Sequence, residues 1–199
     1  MGKTIFVPVV PPLSGNQIEQ QANKIVSMYP DAWAGKEPVP VDFIFDHDIK
    51  ALGIKPLFTD LSVQGRDAYG FTDGINKSSM ISDAVANDTS VVGRRFFRST
   101  VGHELGHVYL HVPYGQFHAS LQAAGIGFMR ERSNMRAWED PEWQAWRFCK
   151  ALCMPAHLVH SIVKKFGTNQ QGIDALKEAF DMNYSFVMSR IRELQILPR

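Results

Sequence analysis

An α+β fold is predicted by two kinds of segment that occupy different parts of the chain. Apolar residues recur at helical spacing towards both ends, whereas residues 54–83 form short runs separated by glycines. Sustained helical spacing favours amphipathic helices, and short runs between turn residues favour strands. Because the chain has 199 residues, 45% of them hydrophobic, it can enclose a core, and we expect one domain over residues 1–199.

The predicted elements follow the chain in a simple order. Helices are expected at 16–28 and 41–52, strands at 55–61, 67–72 and 78–83, and a polar loop at 84–93. A helix then runs from Arg94 towards Pro113, followed by a long irregular connection at 113–138 and helices at 140–154, 155–166, 170–180 and 183–194. The small sheet is expected to be mostly antiparallel and packed on helices. We assign residues 14–160 to the core and 161–199 to a helical C-terminal tail.

Composition argues against several classes of function. The chain carries 21 Lys and Arg against 20 Asp and Glu, so its net charge of +1 provides no general attraction for nucleic acid or an anionic membrane. Cys149 and Cys153 lie four residues apart in a predicted helix, as reduced core residues do. The apolar stretch at residues 5–12 is short and broken by prolines, unlike a signal peptide. A cytoplasmic location is expected.

The segment His103-Glu104-Leu105-Gly106-His107 predicts a metal site inside a helix. Residues four apart lie one above the other, so His103 and His107 can both direct an imidazole nitrogen at one ion, whereas Glu104 lies beside it. This arrangement is typical of zinc peptidases, in which the acid is the catalytic base for attack by a metal-activated water. We therefore predict Zn²⁺ as cofactor and Glu104 as the general base.

A third protein ligand is expected because a catalytic zinc ion usually has three. His111 continues the four-residue spacing, but it lies eight residues after His103, about 12 Å along a helix axis, which is too far for both to reach one ion. Glu142 lies on the apolar stripe of the 140–154 helix, where a carboxylate is costly unless it binds a cation. A first-turn acid favoured by the helix dipole is the alternative interpretation, and Glu139 and Asp140 are substitutes.

These residues resemble a known family. His-Glu-x-x-His, followed by a helix of the form Glu-x-x-Ala-x-x-Phe that ends in Leu-x-Met-Pro, is similar to the ImmA/IrrE-type metallopeptidases of bacteria and phages; here the second element spans 142–155. The resemblance covers roughly residues 14–160. It departs from the family pattern at Trp146, where an Asn is frequent, and in the long 113–138 connection.

The resemblance implies a zincin-like core, Glu142 as third ligand, and a substrate peptide along an edge strand such as 78–83. It also implies regulatory proteolysis of a helix-turn-helix repressor or another regulator in phage or mobile-element control. The metal ligands would therefore be His103, His107 and Glu142. Oxyanion stabilisation stays open among four side chains that can donate a proton: Tyr109, Tyr114, His118 and Arg147.

Two further functions remain open from the sequence. The chain could act without catalysis, as a binding module that sequesters a transcription regulator. The helices at 170–180 and 183–194 also have a weakly helix-turn-helix-like cadence, but few basic residues accompany them, so nucleic acid is an unlikely partner. A protein substrate is the expected partner, no membrane contact is expected, and the oligomeric state is not predicted.

Overall fold

The structure, a computed structural model, describes residues 6–62, 68–113 and 129–197. Helix α1 (Gly15–Val26) begins with a capping box, in which the Ser14 hydroxyl accepts from the backbone of Gln17 and the Gln17 side chain accepts from the backbone of Ser14. Its apolar face is buried, as the helical spacing predicted. A short helix α2 (Pro30–Trp33) follows.

The predicted second helix is divided by a wider turn. It comprises α3 (Val41–Phe43), a π-helical turn (Ile44–Asp48) and α4 (Ile49–Ala51). Ile44, Phe45 and Ile49 are fully buried, so the apolar pattern located the buried face correctly. Gly53 follows with a φ of 75°, the left-handed conformation that ends many helices.

The three-stranded sheet has a mixed topology. Its strands are β2 (Lys55–Thr59), β3 (Gly70–Asp73) and β4 (Ser78–Ser82), and their spatial order is β2-β4-β3. Strand β4 pairs in parallel with β2 and antiparallel with β3, so the expectation of a mostly antiparallel sheet was wrong for this region. The reason is that the β3–β4 hairpin places β4, not β3, next to β2.

Between the sheet and the long helix, the structure differs from the sequence prediction in two ways. Helix α5 (Asp83–Ala86) occupies part of the predicted polar loop, and helix α6 (Val91–Leu110) starts three residues before Arg94. Ser90 caps α6 by accepting from the backbone N–H of Gly93. Because this cap is a strong local start signal, the helix includes Val91 and Val92 although both are exposed.

The connection after α6 contains regular structure that the sequence did not predict. Its residues 114–128 lie outside the described ranges. Strand β5 (Met129–Glu131) pairs antiparallel with β1 (Phe6–Pro8), and two 3-10 turns follow (Arg132–Asn134 and Ala137–Glu139). Strands of three residues carry too few positions for a periodic signal.

Helix α7 (Pro141–Cys153) packs against both α6 and α1. It is followed by α8 (Ala156–Phe166), α9 (Gln170–Phe180) and α10 (Tyr184–Glu193), all close to the predicted bounds. Leu176, Val187 and Ile191 belong to the same buried cluster as the apolar residues of α1, α6 and α7. The C-terminal helices therefore contribute to the core of this α+β fold.

Arg190 anchors α10 to the rest of the protein. Its side chain is fully buried, and its guanidinium donates to the carboxylates of Glu19 and Glu193 and to the carbonyl of Met154. A buried guanidinium needs such partners, because an uncompensated charge in the interior is costly. Across the described ranges, no helix has the length and apolarity required to cross a bilayer.

Candidate metal centre

Helix α6 brings the two predicted histidine ligands together. His103 and His107 lie one turn apart, and their Nε2 atoms are 3.1 Å from each other. Both rings are largely shielded from solvent, with side-chain exposures of 11% and 18%. The one-turn spacing explains this convergence, since side chains at i and i+4 share a helix face.

Glu142 completes the cluster from helix α7. Its Oε2 lies 3.3 Å from Nε2 of His103, and its Oε1 lies 3.3 Å from Nε2 of His107. Pro141 occupies the first helical position, and Asp140 caps the helix by accepting from the backbone N–H of Glu142. The start of α7 is thereby fixed, and Glu142 is held in its first turn facing α6.

The donor set of this cluster fits a divalent cation. One imidazole nitrogen from each histidine and one carboxylate oxygen lie within 4.8 Å of one another. Ligand atoms about 2.0–2.1 Å from a tetrahedral ion are about 3.3–3.4 Å apart, close to the separations of 3.1 and 3.3 Å here. The group formed by His103, His107 and Glu142 could therefore hold a metal ion.

The substitute acids are engaged elsewhere. Glu139 accepts from the backbone N–H of Arg136 and pairs with Arg130. Asp140 pairs with Arg132 in addition to its capping role. Of the three acids considered from the sequence, Glu142 is thus the one that joins the two histidines.

The charged groups of the cluster shift one another's pKa values. Hydrogen bonds with His103 and His107 hold the pKa of Glu142 well below its usual range. Burial opposes protonation of His107, but the hydrogen bond to Glu142 and the charges of Glu104 and Glu142 raise its pKa overall. The carboxylate therefore stays ionised, and the site favours a positive charge between its members.

Glu104 lies beside the cluster and beneath strand β3. Only 4% of the residue is exposed, and its Oε2 accepts a hydrogen bond of 2.7 Å from Oγ1 of Thr72. A Cβ atom added to Gly70 would lie 2.6 Å from Oε1 of Glu104, so the absence of a side chain at Gly70 makes room for the carboxylate. Burial raises the pKa of Glu104, and the positive charges of His107 and His103 and the Thr72 hydrogen bond partly oppose the rise.

His111 contacts a histidine of the cluster instead of joining it. It caps the C-terminus of α6, and its Nδ1 lies 3.0 Å from Nδ1 of His107. Its Nε2 lies 3.1 Å from Oε1 of Gln144. Burial and the nearby charge of His107 lower the pKa of His111 to about 3, so the ring is neutral near neutral pH.

Two glycines on α6 allow α7 to approach closely enough for Glu142 to reach the histidines. A Cβ at Gly106 would lie 2.8 Å from the Cα and the carbonyl oxygen of Ala145, and a Cβ at Gly102 would lie 2.8 Å from Sγ of Cys149. Sequence reasoning missed this role. The signal was available, since the two glycines repeat at the spacing of the two histidines.

Other side chains that the sequence left unassigned have definite positions. The Trp146 ring, 43% exposed, lies over the His103 ring at 4.3 Å between centroids and shields one side of it. Tyr109 stacks on Phe148, and Arg147 lies over Trp143. Of the four candidate oxyanion donors, Tyr114 and His118 lie outside the described ranges.

Comparison with known proteins gives no family for this chain. No protein-family model matches it, and no curated protein sequence matches it significantly. The chemistry of the cluster itself is therefore what indicates a function for this chain.

Proposed function

We propose that this chain is a zinc-dependent endopeptidase with a zincin-like core. The observation that carries the proposal is the convergence of His103, His107 and Glu142 beside the buried carboxylate of Glu104. Two imidazoles and one carboxylate form the ligand set of catalytic zinc sites that keep a fourth position for water. Zinc bound in such a site lowers the pKa of its water to about 7 and polarises a carbonyl group.

Glu104 is suited to proton transfer for two reasons. Its pKa is raised by burial, which brings the carboxyl closer to the pH at which it can both accept and release a proton. Its Oε2 is held by Thr72, so the side chain has a fixed orientation beside the cluster. In the proposed reaction Glu104 accepts the proton of the attacking water and donates it to the leaving amide nitrogen.

The position of Thr72 supports a specific side of approach for a peptide. Strand β4 lies in the centre of the sheet, so the earlier expectation that 78–83 is an edge strand was wrong. Strand β3 carries Thr72, whose hydroxyl donates to Glu104. We propose that a peptide substrate binds near Thr72, where its backbone would pass close to Glu104.

The substrate is proposed to be a specific protein, with a helix-turn-helix repressor or a related regulator as the first class to test. Arg190 of α10 is buried and paired with Glu19 and Glu193, so its charge is not available to contact nucleic acid. A protein is therefore the better candidate partner. The alternative is a non-catalytic module that holds such a regulator.

One set of variants tests the proposal. Purified wild-type protein should contain one zinc ion per chain, and His103→Ala and His107→Ala should lose it. Glu104→Gln should retain the metal but no longer cleave peptides in a fluorogenic library or the regulator itself. Cleavage by Glu104→Gln at the wild-type rate would contradict the mechanism, whereas control of a regulator that survives Glu104→Gln would favour the binding module.

A further inference from the structure

We infer that Gln144 and His111 form a hydrogen-bond relay that fixes the proton of His107 on Nδ1 and leaves its Nε2 free to bind the metal. This positioning role rests on the proposed metal site. Neither Gln144 nor His111 belongs to the His103–His107 motif.

The orientation of Gln144 is set by two backbone carbonyls. The residue is fully buried, and its Nε2 donates to the carbonyl of Pro11 at 3.0 Å and to that of Trp138 at 2.8 Å. In the reversed orientation the amide oxygen would face two acceptors with no donor between them, which is costly in the interior. The amide oxygen Oε1 therefore faces His111.

His111 must donate to that oxygen. Its Nε2 lies 3.1 Å from Oε1 of Gln144, an atom that can only accept a hydrogen bond. A neutral imidazole carries a single N–H, so Nδ1 of His111 is left as an acceptor. Among the residues that the structure describes, its partner is Nδ1 of His107, at 3.0 Å.

The relay determines which nitrogen of His107 can bind a metal. Because Nδ1 of His107 carries the proton that is donated to His111, Nε2 is the nitrogen that can offer a lone pair to a metal; it lies 3.1 Å from Nε2 of His103 and 3.3 Å from Glu142. A ligating histidine whose second nitrogen donates to a fixed acceptor is held in the correct tautomer and ring orientation. In this chain a histidine, itself oriented by an amide, supplies that acceptor.

The two proposed histidine ligands are supported differently. His103 has a buried Nδ1 without a hydrogen-bond partner within the described ranges, and the Trp146 ring lies over it. The relay thus orients one ligand by hydrogen bonds, whereas ring packing holds the other. The two carbonyl groups that orient Gln144 belong to segments distant in sequence: Pro11 precedes α1, and Trp138 lies in the turn before α7.

The direct test reads tautomers in metal-free protein. With ¹⁵N-labelled histidine, long-range proton–nitrogen correlation spectra should show a proton on Nδ1 of His107, whatever the state of its Nε2 beside Glu142, and should show His111 protonated on Nε2 alone. A His107 ring without a proton on Nδ1, or a His111 proton on Nδ1, would overturn the relay. This measurement does not require a bound metal, so the relay can fail or hold independently of the proposed enzyme.

Metal affinity provides the second readout, with Zn²⁺ and the absorption spectrum of Co²⁺ as probes. Gln144→Leu and His111→Leu should weaken binding by roughly 10–100-fold. His111→Gln keeps an acceptor for His107 and should recover part of that loss. Thr100→Val serves as matched control, because its hydroxyl is buried on the same helix but donates to the Phe96 carbonyl, and it should bind as wild type does.

The outcomes separate the two hypotheses. Wild-type protein that binds neither probe would contradict the metal site, and the spectra would still decide the tautomers. Folded Gln144→Leu and His111→Leu proteins with wild-type affinity and an unchanged Co²⁺ spectrum would overturn the relay. Circular dichroism establishes which variants are folded.

Discussion

Thr72 on strand β3 donates a hydrogen bond of 2.7 Å to Oε2 of Glu104 on helix α6. The same hydroxyl lies 2.8 Å from Oγ of Ser79 on strand β4, so the sheet holds the candidate base through two of its strands. This bond joins helix α6 to the strand near which we propose that the substrate binds.

Removing the Thr72 hydroxyl should move the acid limb of the pH–rate profile to higher pH. The Thr72 hydrogen bond lowers the pKa of Glu104, so Thr72→Val should raise it further. Because the base must be ionised, activity should then require a higher pH. The measurement is kcat/KM against pH for a peptide selected from a library, with Thr59→Val at the opposite edge of the sheet as control. Identical acid limbs for both variants would exclude this role for Thr72.

The third ligand can be distinguished from its neighbour by metal content. Glu142→Ala removes the carboxylate that lies 3.3 Å from both histidines and should abolish stoichiometric metal binding. Glu139→Ala removes an acid from the adjacent turn and should leave one metal ion per chain, since Glu139 contacts Arg130 and Arg136. Equal metal content in the two proteins, measured by atomic emission, would be incompatible with Glu142 as ligand.

The close contact between α6 and α7 should be sensitive to a single methyl group. Gly106→Ala would place Cβ 2.8 Å from the backbone of Ala145, so α7 must move and carry Glu142 away from the histidines. We expect a loss of about 1–3 kcal/mol in the free energy of unfolding, with weaker metal binding. Calorimetry with and without zinc measures both quantities.

Gly102→Ala is the matched comparison. Its Cβ would meet sulfur atoms of Cys149 and Cys153 instead of backbone, so Cys149→Ala in the same chain should relieve most of the strain. No such second substitution should rescue Gly106→Ala. A Gly106→Ala protein that binds zinc as tightly as wild type would show that the helix separation does not limit the site.

The ion pairs of Asp181 give a pH-dependent prediction with a definite sign. Hydrogen bonds from Arg94 and Arg95 lower the pKa of Asp181 below 3.8, its ordinary value, so its contribution to stability is present above that pH and is lost as pH falls through the native pKa. Asp181→Asn should therefore destabilise the protein by about 1 kcal/mol at neutral pH.

The difference between the two proteins should shrink as the solution becomes acidic. Urea titrations of wild type and Asp181→Asn at a series of pH values measure it. Asn tolerates the φ of 49° at this position, so the substitution tests charge rather than backbone strain. A difference that stays constant down to the acid transition would rule out ionisation of Asp181 as its cause.

Local patterns in the sequence were sufficient for part of the site. The spacing of His103 and His107 fixes a shared helix face because the helix period is a local property, and the position of Glu142 on an otherwise apolar stripe predicted a partner for its charge. The same local signals predicted most helices, including α1 with its Ser14 cap and the three helices after α7.

Contacts between distant segments were decided by the tertiary structure. Thr72 meets Glu104 across 32 residues and Gln144 meets Pro11 across 133, and no periodicity encodes such a pairing. The order of the sheet likewise depends on which strand the β3–β4 hairpin brings beside β2. The sequence by itself determined the ligand types and their helical spacing, whereas the packing of α6, α7 and β3 decided which polar groups surround them, because burial forces each of those groups to find a partner.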